Sequence, residues 1–249
     1  MRLFYLLYCV LFFKLSITGQ NEGSMPNIWS ENWFSGRLNI EVNEKWQISL
    51  EEQFRVKYID EIFDRTFSEI QIERNYPSNN GNKSFGFAYR YMFINDDNGN
   101  DQSIENHQRV TCYFAQKFKF QRLGFKYRLQ YQKRRELLPK TNKHVSDFRK
   151  YWRIKTDITY NFKNWKLDPK ISTELFLKSI KHNPSQHNKF RVAIGTKYKL
   201  NKKHDFIIKY LFEKQLKSWN PSVIHAIAIK YNFNLKHPKQ KNNIEANEK

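Results

Sequence analysis

Hydrophobic and polar residues alternate with period two along most of this chain, and each run of alternation is long. In "KYWRIKTDITYNF", residues 150–162, Trp152, Ile154, Ile158, Tyr160 and Phe162 share one face, while Arg153, Lys155, Asp157 and Asn161 share the other. "KWQISLEEQFRVKY" sets Trp46, Ile48, Leu50, Phe54, Val56 and Tyr58 against Gln47, Ser49, Glu51, Gln53, Arg55 and Lys57. "GFKYRLQYQKR" sets Phe125, Tyr127, Leu129 and Tyr131 against Lys126, Arg128, Gln130, Gln132 and Arg134. About eleven such segments can be read, from "NWFSGRLNIEV" to "SVIHAIAIKYNFNL". Most are about ten to fourteen residues long, whereas strands of soluble domains usually run to about five or six. Tilted strands that cross a membrane need about nine to eleven residues, so segment length favours a barrel with its dry side outward.

The connections point the same way. Short turns at "VNEK", "QRLG", "KNWK" and "NKKH" contrast with longer polar loops at "IDEIFDR", "INDDNGNDQS", "ELLPKTNKHVSD", "IKHNPSQHN" and "LKSWNPS". From Cys112 onward they alternate short and long, the asymmetry of outer-membrane barrels with short periplasmic turns; "PSNNGNK" is longer than that rule allows. The expected fold is therefore all-β: a closed antiparallel transmembrane β-barrel of 10–12 strands. Twelve is the preferred number, because the alternation leaves the first long strand running downward unless a short strand around Asn27 to Trp33 precedes it. Trp46 and Trp165 follow short turns and Trp219 sits in a loop near a strand end, as interfacial girdles require, while Trp152 lies deeper in its strand. Tyr231, Phe233 and Leu235 alternate at the end of the last strand, in the manner of a C-terminal signal read by barrel-assembly machinery.

The ends of the chain read differently. Arg2, an apolar core from Leu3 to Phe13 and a polar exit ending in Gly19-Gln20 have the layout of a secretory signal peptide, residues 1–19. Lys14 interrupts the run well short of the roughly 20 residues of a spanning helix. Residues 20–235 then form one barrel domain, and 236–249 a polar, disordered tail. No later apolar run approaches helix-spanning length, which argues against a helical membrane protein but not against a barrel.

Charge and cysteine content narrow the function classes. The formal charge is +20, and an exported chain of that sign meets outer-membrane lipids and lipopolysaccharide rather than nucleic acid. The basic residues are spread along the chain with no nucleic-acid motif, and nothing suggests more than a monomer. Of two cysteines, Cys9 falls in the signal, so Cys112 cannot form an internal disulfide or a thiolate zinc site. It shares the phase of Val110, Phe114, Phe118 and Phe120 and reads as a small apolar residue.

"FRKYWRIKTDITYNF", "DPKISTELFL" and "NKFRVAIGTKYKL", followed by a strand with Tyr210, resemble an uncharacterised family of Gram-negative outer-membrane β-barrels, a domain of unknown function. Arg153 and Tyr160 match its first motif; Pro169, Glu174, Leu175 and Phe176 its second; Arg191, Gly195 and Tyr198 its third. Glu51 and Arg55 of "LEEQFR" are similar to its Glu-then-Arg strand. The resemblance implies the fold and the location, and no activity.

With lipid outside, the inward face carries Glu51, Arg55, Glu69, Glu73, Arg90, Arg128, Arg153, Asp157, Lys170, Glu174, Arg191, Lys197, Lys209, Glu213 and Lys230. Of these, Glu51, Arg55, Arg90, Arg128, Arg153, Asp157, Lys170, Glu174, Arg191, Lys209 and Glu213 are the candidate pore-lining residues. They either pair and fill the interior or line an anion-favouring path; the narrow bore of 10–12 strands favours filling. Three classes follow: a channel or structural envelope protein, an envelope-lipid-modifying enzyme, and a soluble exported β-protein that binds anionic polysaccharide. Catalysis has only weak candidates in His144 with Ser146, in the His182, Ser185 and His187 loop, and in Asp96 with Asp97. None has the setting of a nucleophile or a metal-ligand loop, so no catalytic residue, metal site or cofactor is expected.

Overall fold

The computed structural model describes residues 26–57, 62–78, 81–96, 103–137, 148–163, 167–179, 188–216 and 220–236. The signal segment, the tail beyond Lys236, Trp165, Trp219, Asp97 and the His144 and His182–His187 loops lie outside these residues. Eleven strands form: β1 (Asn27–Glu41), β2 (Trp46–Lys57), β3 (Phe63–Tyr76), β4 (Asn82–Asp96), β5 (Ser103–Phe120) and β6 (Leu123–Glu136). They continue as β7 (Arg149–Tyr160), β8 (Leu167–Ser179), β9 (Asn188–Lys199), β10 (His204–Leu216) and β11 (Ser222–Leu235). Each pairs with its sequence neighbours and β1 meets β11, closing a barrel. Among the described residues no helix is long and apolar enough to cross a membrane.

The strand number is eleven, not the preferred twelve. Asn27 to Trp33 is the first half of β1, continuous in its pairing with β11 from Asn27↔Ser222 to Ile40↔Leu235. The ladder to β11 runs without a break through Ser30, Asn32 and Ser35, and that to β2 through Asn32 and Ser35, so nothing divides the strand. An odd count makes the first and last strands run in the same direction, and the β1–β11 seam is accordingly parallel while all other pairs are antiparallel. Parallel bonds are slanted and slightly weaker per residue, yet the closure leaves no free sheet edge. Asn39 Nδ2 reinforces the seam by donating to Asn234 Oδ1 at 2.8 Å.

The outer wall is a continuous apolar belt. Phe34, Leu50, Phe54, Ile72, Phe87, Leu129, Ile154, Ile171, Ile194, Ile208 and Ile227 are all exposed, far more apolar surface than a soluble monomer presents in one patch. Cys112 also lies on this wall, exposed, opposite Phe87 and Tyr131. Connections between β1 and β2, β3 and β4, β5 and β6, β7 and β8, and β9 and β10 gather at one rim, and the longest connections gather at the other. Two short turns use the same device. Asn43 Oδ1 accepts from the backbone N–H of Lys45 at 2.9 Å and Trp46 at 2.8 Å, and Asn201 Oδ1 does so from Lys203 at 2.8 Å and His204 at 2.9 Å. Along this rim aromatic rings touch in series: Tyr76 on Phe85, Phe85 on Phe114, Phe118 on Tyr127, Tyr160 on Phe162 and Phe206 on Tyr231. That girdle is what an interface of water and hydrocarbon selects. Trp152 is only the fourth residue of β7, close to the opposite rim, where it packs on Tyr131 with ring centroids 5.0 Å apart.

Gly86 shows how the inner wall is fitted. It faces inward opposite Tyr113, and a Cβ on it would lie 2.1 Å from the Tyr113 ring. The ring therefore lies flat over the glycine, where its hydroxyl donates to Glu73 and accepts from Gln71 Nε2 at 2.7 Å. Gly86→Ala should displace the ring and lower stability by about 1–3 kcal/mol, read as an earlier urea midpoint in detergent.

Candidate functional site

The interior has two levels. At mid-depth all eleven strands border a cavity of ≈ 380 Å³, lined by thirteen Lys and Arg residues and five Glu. Toward the short-turn rim the interior widens to ≈ 1040 Å³. The narrow level is set by side chains that reach inward and bind one another.

Strand register builds the first network. Glu174 on β8 stands opposite Arg191 on β9, and Arg191 stands opposite Glu213 on β10. Arg153 Nε donates to Glu174 Oε1 at 3.0 Å, and Arg191 Nη1 lies 3.3 Å from Glu174 Oε2. Arg191 Nε donates to Glu213 Oε2 at 2.9 Å, and Lys189 Nζ donates to Glu213 Oε1 at 3.0 Å. Four strands are thus tied by two carboxylates. A second network crosses the seam: Glu51 on β2 accepts from Arg37 Nε of β1 at 2.6 Å and from Lys230 Nζ of β11 at 2.6 Å. Beside it Glu69 accepts from Arg90 Nε at 2.7 Å and from Arg109 Nη2 at 3.4 Å.

Cations outnumber carboxylates, and aromatic faces cover several of the guanidiniums, paired and unpaired alike. Arg55 lies 3.7 Å and Arg191 5.2 Å from the centroid of Trp33, whose Nε1 donates to Glu31 at 2.6 Å. Arg90 covers Phe67 at 3.3 Å, Arg153 covers Phe176 at 4.4 Å, and Arg128 covers Tyr113 at 4.7 Å. Each such contact is worth about 0.5–2 kcal/mol, rising with desolvation.

All the pore-lining candidates lie on the inner wall. Glu51, Arg55, Arg90, Arg128, Arg153, Glu174, Arg191 and Glu213 border the narrow level; Asp157 and Lys170 border the wide one; Lys209 borders both. Sequence reasoning missed Arg37 and Arg109, which lie where only the apolar face was assigned, and Arg65, which was read as the end of a polar loop but belongs to β3. It also missed Trp33, Phe67 and Phe176, because an aromatic residue at an inward position contradicts the two-letter pattern. A cluster of Glu105, His107 and Glu136 was likewise invisible, since cross-strand pairing of His107 with Glu136 assembles it. His107 Nε2 sits 2.7 Å from Glu105, and Arg134 faces its Nδ1 at 3.4 Å. His204 and His225 meet the hydroxyls of Tyr231 and Tyr210, so each described histidine is engaged by a residue other than serine.

Glu174 holds two guanidiniums and its side chain is 3% exposed. Glu174→Gln should leave Arg153 and Arg191 undercompensated and destabilise the barrel by about 1–3 kcal/mol, with a lowered urea midpoint and retained strand content by circular dichroism.

No curated protein matches the chain. Among solved structures, the anion-selective porin from Comamonas acidovorans superposes with a TM-score of 0.33 at 10% identity, covering 76% of this chain and 82% of that one. At that TM-score the barrel topology rests on the strand pairing described above, and the porin adds nothing to it. The model of a family described as "Protein of unknown function (DUF2490)" matches residues 30–220, a span that includes every strand of the two ion-pair networks except β11, and the chain belongs to that family.

Proposed function

We propose that the protein is an outer-membrane β-barrel, exported and inserted by barrel-assembly machinery, whose narrow lumen admits small anions in preference to cations. The observation that carries this reading is the charge balance at the constriction, thirteen cationic side chains against five carboxylates. Ion pairs and aromatic stacks neutralise or cover part of that excess. The remainder, inside low-dielectric walls, requires mobile anions as counter-ions. The apolar outer belt and the aromatic rim support placement in a membrane with lipid and lipopolysaccharide around the wall. The small bore argues against general diffusion of nutrients, since eleven strands enclose far less space than the 16 or so of a water-filled porin.

Reconstitution into planar bilayers tests the reading. Small, steady currents are expected, with a reversal potential under a KCl gradient displaced toward that of chloride. Cation preference would overturn the reading. Absence of current at every salt concentration would leave a structural envelope role in its place. Recovery of the protein from the periplasm without detergent would remove the membrane placement itself.

A further inference from the structure

We infer that the wide, short-turn half of the lumen is a binding chamber for a small polyvalent phosphate, such as a pyrophosphate or a phosphate ester. This deepens the channel reading by naming a ligand class, and it rests on the same cationic interior without requiring conduction.

The chamber offers ≈ 1040 Å³, and it ends inward at the narrow level, which offers ≈ 380 Å³. Ser78, Gly81, Arg122 and Asn161, which belong to short connections, border it, so its mouth is the short-turn rim. Seven Lys and Arg residues line it against two Asp. Both carboxylates are already committed, Asp157 to Lys170 at 2.9 Å and Asp168 to Lys199 at 3.0 Å. Lys197 is also paired, with Asp205 at 2.9 Å. Lys117, Lys119, Arg122, Lys126 and Lys209 have no carboxylate in ion-pair reach among the described residues.

This contrasts with the level above it, where every lining carboxylate but Glu31 bridges two or more cations. Lys117 and Lys126 stand directly opposite each other in the β5–β6 ladder, a repulsive pairing that Asp157, opposite Lys126 on β7 but held by Lys170, offsets only in part. Lys209 approaches from β10, with its stem laid against Gly195. A Cβ at position 195 would lie 2.5 Å from Lys209 Cγ, so the glycine is what lets this lysine lie along the wall. Cations from β5, β6 and β10 therefore converge on one volume from separate parts of the wall. A monovalent anion offsets one of them. A phosphate with several charges offsets several at once, and lysine ammonium groups suit phosphate as point charges without demanding a planar acceptor. Asn82, Thr159 and Asn161 add neutral hydrogen-bonding groups for the rest of such a molecule.

Isothermal titration calorimetry of the full chain refolded in detergent, with inorganic pyrophosphate as the probe, decides the matter. Saturable binding is expected, weakened by about tenfold or more in Lys126→Gln/Lys209→Gln. Lys133→Gln, which removes the same charge from the exposed outer phase of β6, should bind as the wild type does. Absence of saturable heat, or equal weakening in the Lys133→Gln protein, would overturn the inference. The double variant relieves repulsion and should fold, as a heat-modifiability gel will show. Should it not, Arg122→Gln in the turn provides the same comparison with a smaller loss. Bilayer selectivity is measured without pyrophosphate, so a failed channel reading and a failed chamber give separate results.

Discussion

Charge that must be kept from lipid is the constraint on which the structure depends. An Arg or Lys turned onto the hydrocarbon face at mid-depth costs about 2–4 kcal/mol. A slip of one residue in any strand would turn its whole inward set outward. In β7 that set includes Arg153, Lys155 and Asp157, and in β6 it includes Lys126, Arg128 and Arg134. The phase of each strand is thus fixed by its charges as firmly as by its apolar residues. Neighbouring strands must then agree in phase, and a closed barrel is the arrangement that lets every strand satisfy both sides at once.

What the enclosed charges do next differs with depth. At the middle level, carboxylates are scarce and all but Glu31 act as bridges, among them Glu174 between Arg153 and Arg191, Glu213 between Arg191 and Lys189, and Glu51 between Arg37 and Lys230. A bridging carboxylate ties strands that are not sequence neighbours; Glu51 reaches past β1 to β11 and thereby supports the parallel seam. Aromatic faces complete the level by covering guanidiniums, the ion-paired Arg90, Arg153 and Arg191 as well as Arg55 and Arg128. Near the short-turn rim the carboxylates are too few and already engaged with Lys170, Lys197 and Lys199, and Lys117, Lys119, Lys126 and Lys209 are left without an ion pair among the described residues. One barrel therefore holds a consolidated middle and an anion-hungry end.

Much of this was legible before any fold was known. The alternation located all eleven strands and both faces of "KYWRIKTDITYNF", because period two is a local property of the chain. Strand parity was not local. The expectation of a twelfth strand around Asn27 to Trp33 came from the alternation of short and long connections, which left the first long strand running downward, and the continuous β1 with its parallel partner replaces it. Pairing partners were equally out of reach. That Glu174 meets Arg191 depends on the register of β8 against β9, which turn geometry and packing decide together. The inward Trp33, Phe67 and Phe176 were hidden for a different reason. An aromatic residue reads as lipid-facing until the guanidinium that will cover it is known.

The register also gives meaning to the family motifs. Arg153, Glu174, Phe176 and Arg191, drawn from three separate motifs, form one connected group, and Arg55 of the fourth shares the Trp33 ring with Arg191. Short motifs far apart in sequence are therefore pieces of a single layer across the lumen. Lys117, Lys119, Arg122 and Lys126 of the wide chamber lie on β5, β6 and their turn, outside all four motifs. Lys209 stands at the boundary between the two levels. The layer that narrows the barrel and most of the residues that would choose its ligand thus lie at different depths, with Lys209 shared. Changes to the chamber lysines can alter what the barrel holds while the bridged middle, and the closure that depends on it, stay intact.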